Sequence, residues 1–207
     1  MADMATTDAR FGLIPWGPMK DDSCHYYAIE TEPDVDLFHG DPAETEGTAV
    51  TTPHMGPLQS IEVKVGGAEG SLVGVIMALF DEDMCPVTYI ATTDAGNGTI
   101  AGYALVCDDP FQRYIVQEDG VGSSIVAADF GLSGDLVLTH GGDTTTGVSG
   151  CELDSSDTHA PGGATGDVRV LGIHPEDSIS AAGAAGNHAR FIVQLNSAYR
   201  DVNIAGV

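Results

Sequence analysis

The chain has 207 residues, enough for one sizeable β domain or two small ones with a genuine core, and its 43% hydrophobic content excludes an intrinsically disordered protein. Its 31 acidic residues against 7 basic ones give a formal net charge of −24, a surface that repels nucleic acid and anionic lipid. The 27 glycines and 10 prolines follow no collagen-like period, so they predict many turns between short strands.

Residues 1–10 are polar. Residues 11–19, FGLIPWGPM, hold the single tryptophan, Trp16, between Pro15 and Pro18. Two prolines and two glycines so close together rule out a helix and bias the segment to an extended form. Two readings stand side by side: an arm folded onto its own core, or an arm reaching a neighbouring subunit with an aromatic anchor. Residues 25–31, HYYAIET, read as a strand with Tyr27 and Ile29 on one face. An acidic Pro- and Gly-containing stretch follows over 33–48, around a short apolar piece at 35–38. Residues 61–65 alternate, with Ile61, Val63 and Val65 inward and Glu62 and Lys64 outward.

The apolar run 72–80, bounded by Gly70 and Asp81, predicts a strand buried on both faces. It is also the longest such run, far short of the roughly 20 residues that cross a bilayer. A strand begins at 87–91, and Asp94-Ala95-Gly96-Asn97-Gly98 carries the strongest hairpin cue in the chain. Residues 99–107 and 114–117 are further strands, and 129–138, with Gly131 and Gly134, is expected to wander across a sheet edge. Gly-rich loops occupy 140–150 and 154–166, and the last strands are 168–173 and 190–195. About ten strand signals without a long amphipathic helix predict an all-β sandwich or barrel. The expected organisation is an N-terminal arm over 1–20 and a β-rich body over 21–207. Within the body, the glycine-containing stretch 66–70 separates a layer, 21–66, from a main barrel, 67–207.

Catalytic and metal templates fail on spacing. Gly147-Val148-Ser149-Gly150 approaches a nucleophile elbow, but Cys151 stands where its last glycine belongs. His140-Gly141-Gly142-Asp143 is a weak oxyanion-loop match. The histidines, His25, His39, His54, His140, His159, His174 and His188, are dispersed and share no zinc-binding frame. Asp81-Glu82-Asp83 and the 94–98 turn lack the alternating oxygens of an EF-hand loop. Cys24, Cys85, Cys107 and Cys151 form no C-x-x-C pair, and MADMATTDAR lacks the features of a secretory signal, so free thiols are expected. No catalytic, metal or cofactor residue is assigned.

Several stretches resemble tailed-bacteriophage capsid decoration proteins, also called head cement proteins. They are YIVQEDG at 114–120, SGCELDSS at 149–156, VRVLGIHPEDS at 168–178 and ARFIVQLNSAYR at 189–200. The opening, FGLIPWGP followed by CHYYAIETEPDVDLFHGDPAETEG, and the middle, LVGVIMALF through CPVTYIATTDAGNGTIAGYALVCDDP, follow the same order of elements. After the last strand the chain departs from the family, having Asn196-Ser197-Ala198-Tyr199 in place of an Asn- and His-containing stretch. The resemblance implies a jelly-roll-like body and a structural role without enzymatic activity or cofactor. It implies synthesis in the bacterial host cytoplasm and a place on the outer surface of an HK97-like capsid, bridging neighbouring capsomers. The implied partners are the major capsid protein and a second copy of the chain, a homodimer being favoured over a homotrimer, with no nucleic-acid or membrane contact. The implied contacts are Phe11, Ile14 and Trp16 in the arm and Tyr199, Arg200 and Ile204 in the tail, and deleting residues 1–19 is expected to abolish capsid binding and leave the fold intact. The competing readings are a metal-dependent cupin-like enzyme using the dispersed histidines and carboxylates, and a carbohydrate-binding or adhesive virion module. The latter sits poorly with an aromatic content of 6%.

Overall fold

A computed structural model describes residues 8–64, 72–121, 125–138, 140–156, 166–177 and 187–196. Its strands in chain order are β1 (Ile14–Trp16), β2 (Cys24–Glu30), β3 (Leu37–Phe38), β4 (Pro42–Thr52), β5 (Gly56–Val63), β6 (Leu72–Asp81), β7 (Pro86–Val87) and β8 (Tyr89–Ile90). They continue with β9 (Ile100–Cys107), β10 (Arg113–Gln117), β11 (Ser133–Gly134), β12 (Leu136–Val137), β13 (Glu152–Leu153), β14 (Val168–Ile173) and β15 (Arg190–Leu195). One 3-10 turn, Ala127–Asp129, is the only helical element among the described residues. The protein is all-β, and no helix of the described residues is long and apolar enough to cross a membrane.

The longest strands close on themselves. Their order is β4-β5-β2-β9-β6, and β6 pairs back onto β4 through Pro42↔Val75, Ala43↔Gly74 and Glu44↔Leu72. Every neighbour in this ring is antiparallel except β2 and β5, which meet in parallel at Ala28↔Ser60. An apolar cluster drawn from all of the ring strands includes Ile29, Ala43, Ile61, Ile76, Leu79 and Val106. Gly74 sits where β6 crosses β9: a Cβ there would lie 2.2 Å from the carbonyl oxygen of Cys107, so only glycine allows the strands to approach.

A second sheet, ordered β1-β10-β15-β14-β11, packs against the ring. Its inward residues Tyr114, Val116, Phe191, Val193, Val168 and Val170 share one cluster with Leu13 and with Val75 and Cys107 of the ring. Alternation in β10 and β15 decides which face is buried, since a period of two puts Tyr114, Val116, Phe191 and Val193 on one side. Lys64 and Asp167 also link the two layers, as an ion pair at 3.5 Å with both side chains buried.

Several sequence expectations change here. Lys64 is buried, because the alternation of β5 ends at Val63 and the side chain turns to Asp167; Val65 lies outside the described residues. The acidic stretch 33–48 contains β3 and the first half of β4, an 11-residue strand. Small and charged residues conceal it in the sequence, but pairing on both sides supplies its backbone bonds. The Asn97-Gly98 turn forms, with Asn97 Oδ1 accepting the Thr99 and Ile100 amides. It does not join a hairpin, because β8 pairs with β3 while β9 pairs with β2 and β6. The boundary at 66 does not follow the sheets: strands from both sides of it form one ring. Residues 129–138 do wander, from the 3-10 turn to β11 on the second sheet and then to β12 beside β13.

Candidate functional site

Strand β1 forms an edge of the second sheet, with register Ile14↔Ile115, Pro15↔Tyr114 and Trp16↔Arg113. Proline is tolerated on such an edge, where a missing amide donor costs no ladder bond. Residues 11–16 are therefore not a free arm. Leu13 is fully buried, Phe11 is half-buried, and the Leu13 amide donates to the Gly40 carbonyl at 2.9 Å. Trp16 lies half-buried, edge-on to His174 with ring centroids 5.1 Å apart. Removing residues 1–19 would take Leu13 and β1 from the core, so the fold cannot be expected to survive that deletion intact. Tyr199, Arg200 and Ile204 lie outside the described residues.

What the strand leaves in solvent is apolar. Ile14 is 41% exposed, Met19 44% and Phe111 73%, three of the five exposed large hydrophobic residues among those described. Ile14 stands opposite Ile115 in the ladder, while Met19 and Phe111 lie outside both strands, Phe111 in the turn that leads into β10. The Lys20 ammonium lies 5.5 Å from the centre of the Phe111 ring and 3.0 Å from Asp109. The Phe111 amide bonded to Asp109 Oδ1 and the Lys20 charge beside it hold the Asp109 carboxyl below its ordinary range. Met19 and Phe111 were missed in the sequence, since nothing local marks a methionine after β1 or one aromatic in a turn as exposed, and only the fold sets Lys20 against the Phe111 ring.

A second, polar region surrounds the 140–143 loop. A cleft of about 390 Å³ is lined by Asp36, Phe38, Asp41, Thr92 and His140, and another of about 320 Å³ by Asp8, Arg10, Asp143 and Thr146; Gly141 borders both. Asp41 is buried, and one of its oxygens accepts the Phe38 amide at 2.7 Å while the other has no partner among the described residues. Burial raises its pKa from 3.8 to about 7, against the opposing effect of the Ser149 hydroxyl and the Phe38 amide. His140 Nδ1 lies 2.9 Å from Glu152 Oε2. Burial raises the Glu152 and Glu118 carboxyls above their usual range, offset in part by His140 and by the His188 amide respectively.

Asp8, Glu152 and His188 each bring a ligand-capable atom to within 4.8 Å of the other two. They come from the N-terminal segment, β13 and the turn before β15, so no local spacing announces them. Two of the dispersed histidines, His140 and His188, thus converge on Glu152, while the other described histidines do not join them. All four cysteines are free; Cys24 and Cys107 face each other across β2 and β9, and Cys85 is exposed. No known protein family, curated protein or solved structure matches this chain.

Proposed function

We propose that this protein is a structural virion component that binds the outer surface of an HK97-like capsid and bridges neighbouring capsomers. The observation that carries the reading is a set of exposed apolar side chains, Ile14 on β1, which has no outer neighbour among the described residues, Met19 after it and Phe111 in the turn before β10. Pro15 leaves the outer side of β1 without an amide donor, so a partner would be held through these apolar side chains and not by an added strand. The resemblance to decoration proteins supplies the partner, a major capsid protein. The net charge of −24 suits a basic shell surface, and the same apolar side chains would serve for association with a second copy.

The test is co-sedimentation of the purified chain with expanded shells of the major capsid protein encoded beside it. Saturable binding at a fixed ratio is expected. The double substitution Ile14→Asp, Phe111→Ser removes two exposed apolar side chains whose burial on binding is worth about 1.5 kcal/mol or more each, so binding is expected to weaken about 100-fold while the fold is retained. Absence of saturable binding by the unmodified chain at any salt concentration would overturn the proposal. A second reading, a metal-dependent enzyme, is favoured by the clefts that meet at Gly141 beside Asp41 and His140. Stoichiometric metal in a chain that fails to bind shells would move the assignment to it.

A further inference from the structure

We propose that Asp8, Glu152 and His188 form a binding site for a first-row divalent transition cation, which fastens the N-terminal segment to the second sheet. Their ligand-capable atoms lie within 4.8 Å of one another. Metal bonds of about 2.0–2.2 Å to carboxylate and imidazole set tetrahedral donors about 3.3–3.6 Å apart, so the site has to close by no more than about 1.5 Å. Asp8 is exposed and can supply that movement. Its present partner, Arg10 at 3.5 Å, is a surface ion pair, and such pairs hold weakly.

The buried carboxylate points independently to a ligand. Glu152 is completely buried; its Oε2 is held by His140 Nδ1 at 2.9 Å, yet Oε1 has no partner among the described residues. A buried carboxylate oxygen without a donor is costly, and a cation would satisfy it. His140 plays the part of the outer histidine that orients a ligating carboxylate. His188 also has a buried Nδ1 without a partner. Its backbone is held at φ 59° by two bonds, its amide donating to Glu118 Oε1 at 2.9 Å and its carbonyl accepting from Gln117 Nε2 at 2.8 Å. Gly120 makes room for the ring, because a Cβ there would lie 2.5 Å from it. The Ala9 amide, donating to Gln117 Oε1 at 3.0 Å, sets Asp8 beside the pair.

The donor set selects the metal. Two carboxylates neutralise a divalent charge, and the imidazole disfavours calcium and magnesium, which take oxygen ligands. Three protein ligands leave positions for water. The inference is independent of capsid binding.

The experiment is a titration of the metal-free full chain with Mn2+, followed by the loss of the free-ion paramagnetic resonance signal in high salt. Mn2+ binds thiolates poorly, which keeps the four cysteines out of the readout, and salt suppresses diffuse binding to the acidic surface. One saturable site per chain is expected, weakened at least tenfold by Asp8→Asn, a change at an exposed side chain that leaves the fold alone, and by Glu152→Gln. Absence of a saturable site in the unmodified chain, or a site of unchanged affinity in both variants, would overturn the proposal.

Discussion

Asp41 makes the stability of this protein fall as pH rises. Its carboxyl sits in the core between β3 and β4, and burial lifts its pKa from 3.8 to about 7. Between those values the folded chain holds a proton that the unfolded chain has released. Stability then drops by about 1.4 kcal/mol per pH unit, is fully present below pH 4, and levels off above pH 7. From pH 5 to pH 8 the loss from this residue alone comes to about 2.5–3 kcal/mol. Asp41→Asn keeps an oxygen to accept the Phe38 amide and removes the titration. Urea unfolding of both proteins under reducing conditions at pH 5 and pH 8 gives the double difference directly, because Glu118, Glu152 and the other shifted groups titrate in both and cancel. The expected result is that the wild type loses about 2.5–3 kcal/mol more than the variant over this interval. A difference below about 1 kcal/mol would refute the argument that the carboxyl is held neutral by burial.

Two further substitutions probe the core. Leu13→Ala, at a fully buried position preceding β1, is expected to cost about 2–5 kcal/mol in urea unfolding; a cost under about 1 kcal/mol would show that the N-terminal segment is not part of the body. Tyr103→Phe removes a buried hydroxyl that has no partner among the described residues, so thermal unfolding is expected to show a gain of about 1 kcal/mol, and a loss of that size would mean the hydroxyl is satisfied.

How much of this was legible in the sequence depends on the range over which each signal acts. The all-β class could be read from residues close together, since the apolar run of β6 and the alternation of β10 and β15 decide burial within a few side chains. The same holds for the non-helical form of residues 11–19, which Pro15 and Pro18 impose locally, though only Ile14–Trp16 is strand and Gly12 and Gly17 turn the chain on either side of it. Pairing partners were not legible. Ala28 meets Ser60 in parallel, β4 closes the ring against β6, and β8 leaves the Asn97-Gly98 turn to pair with β3. Each choice compares contacts between segments far apart in the chain, and no residue pattern records that comparison. Strand β4 went unread for the same reason: its proline, glutamates and glycine disfavour a strand locally, and pairing with neighbours on both sides holds it.

The candidate sites divide in the same way. Ile14 and Trp16 stand out by composition, as hydrophobic residues in a proline-rich segment, whereas the exposure of Phe111 and its approach to Lys20 exist only in the folded chain. Asp8, Glu152 and His188 are ordinary acidic and imidazole residues separated by most of the chain, and only the tertiary fold sets their donor atoms within 4.8 Å. The sequence by itself determined the class, the acidity and the local extended segments, because these follow from side-chain chemistry and short-range sterics. The closed ring, the burial of Lys64 and Asp41 and the convergence at Glu152 were decided by tertiary structure, because packing alone chooses which distant groups share one desolvated space.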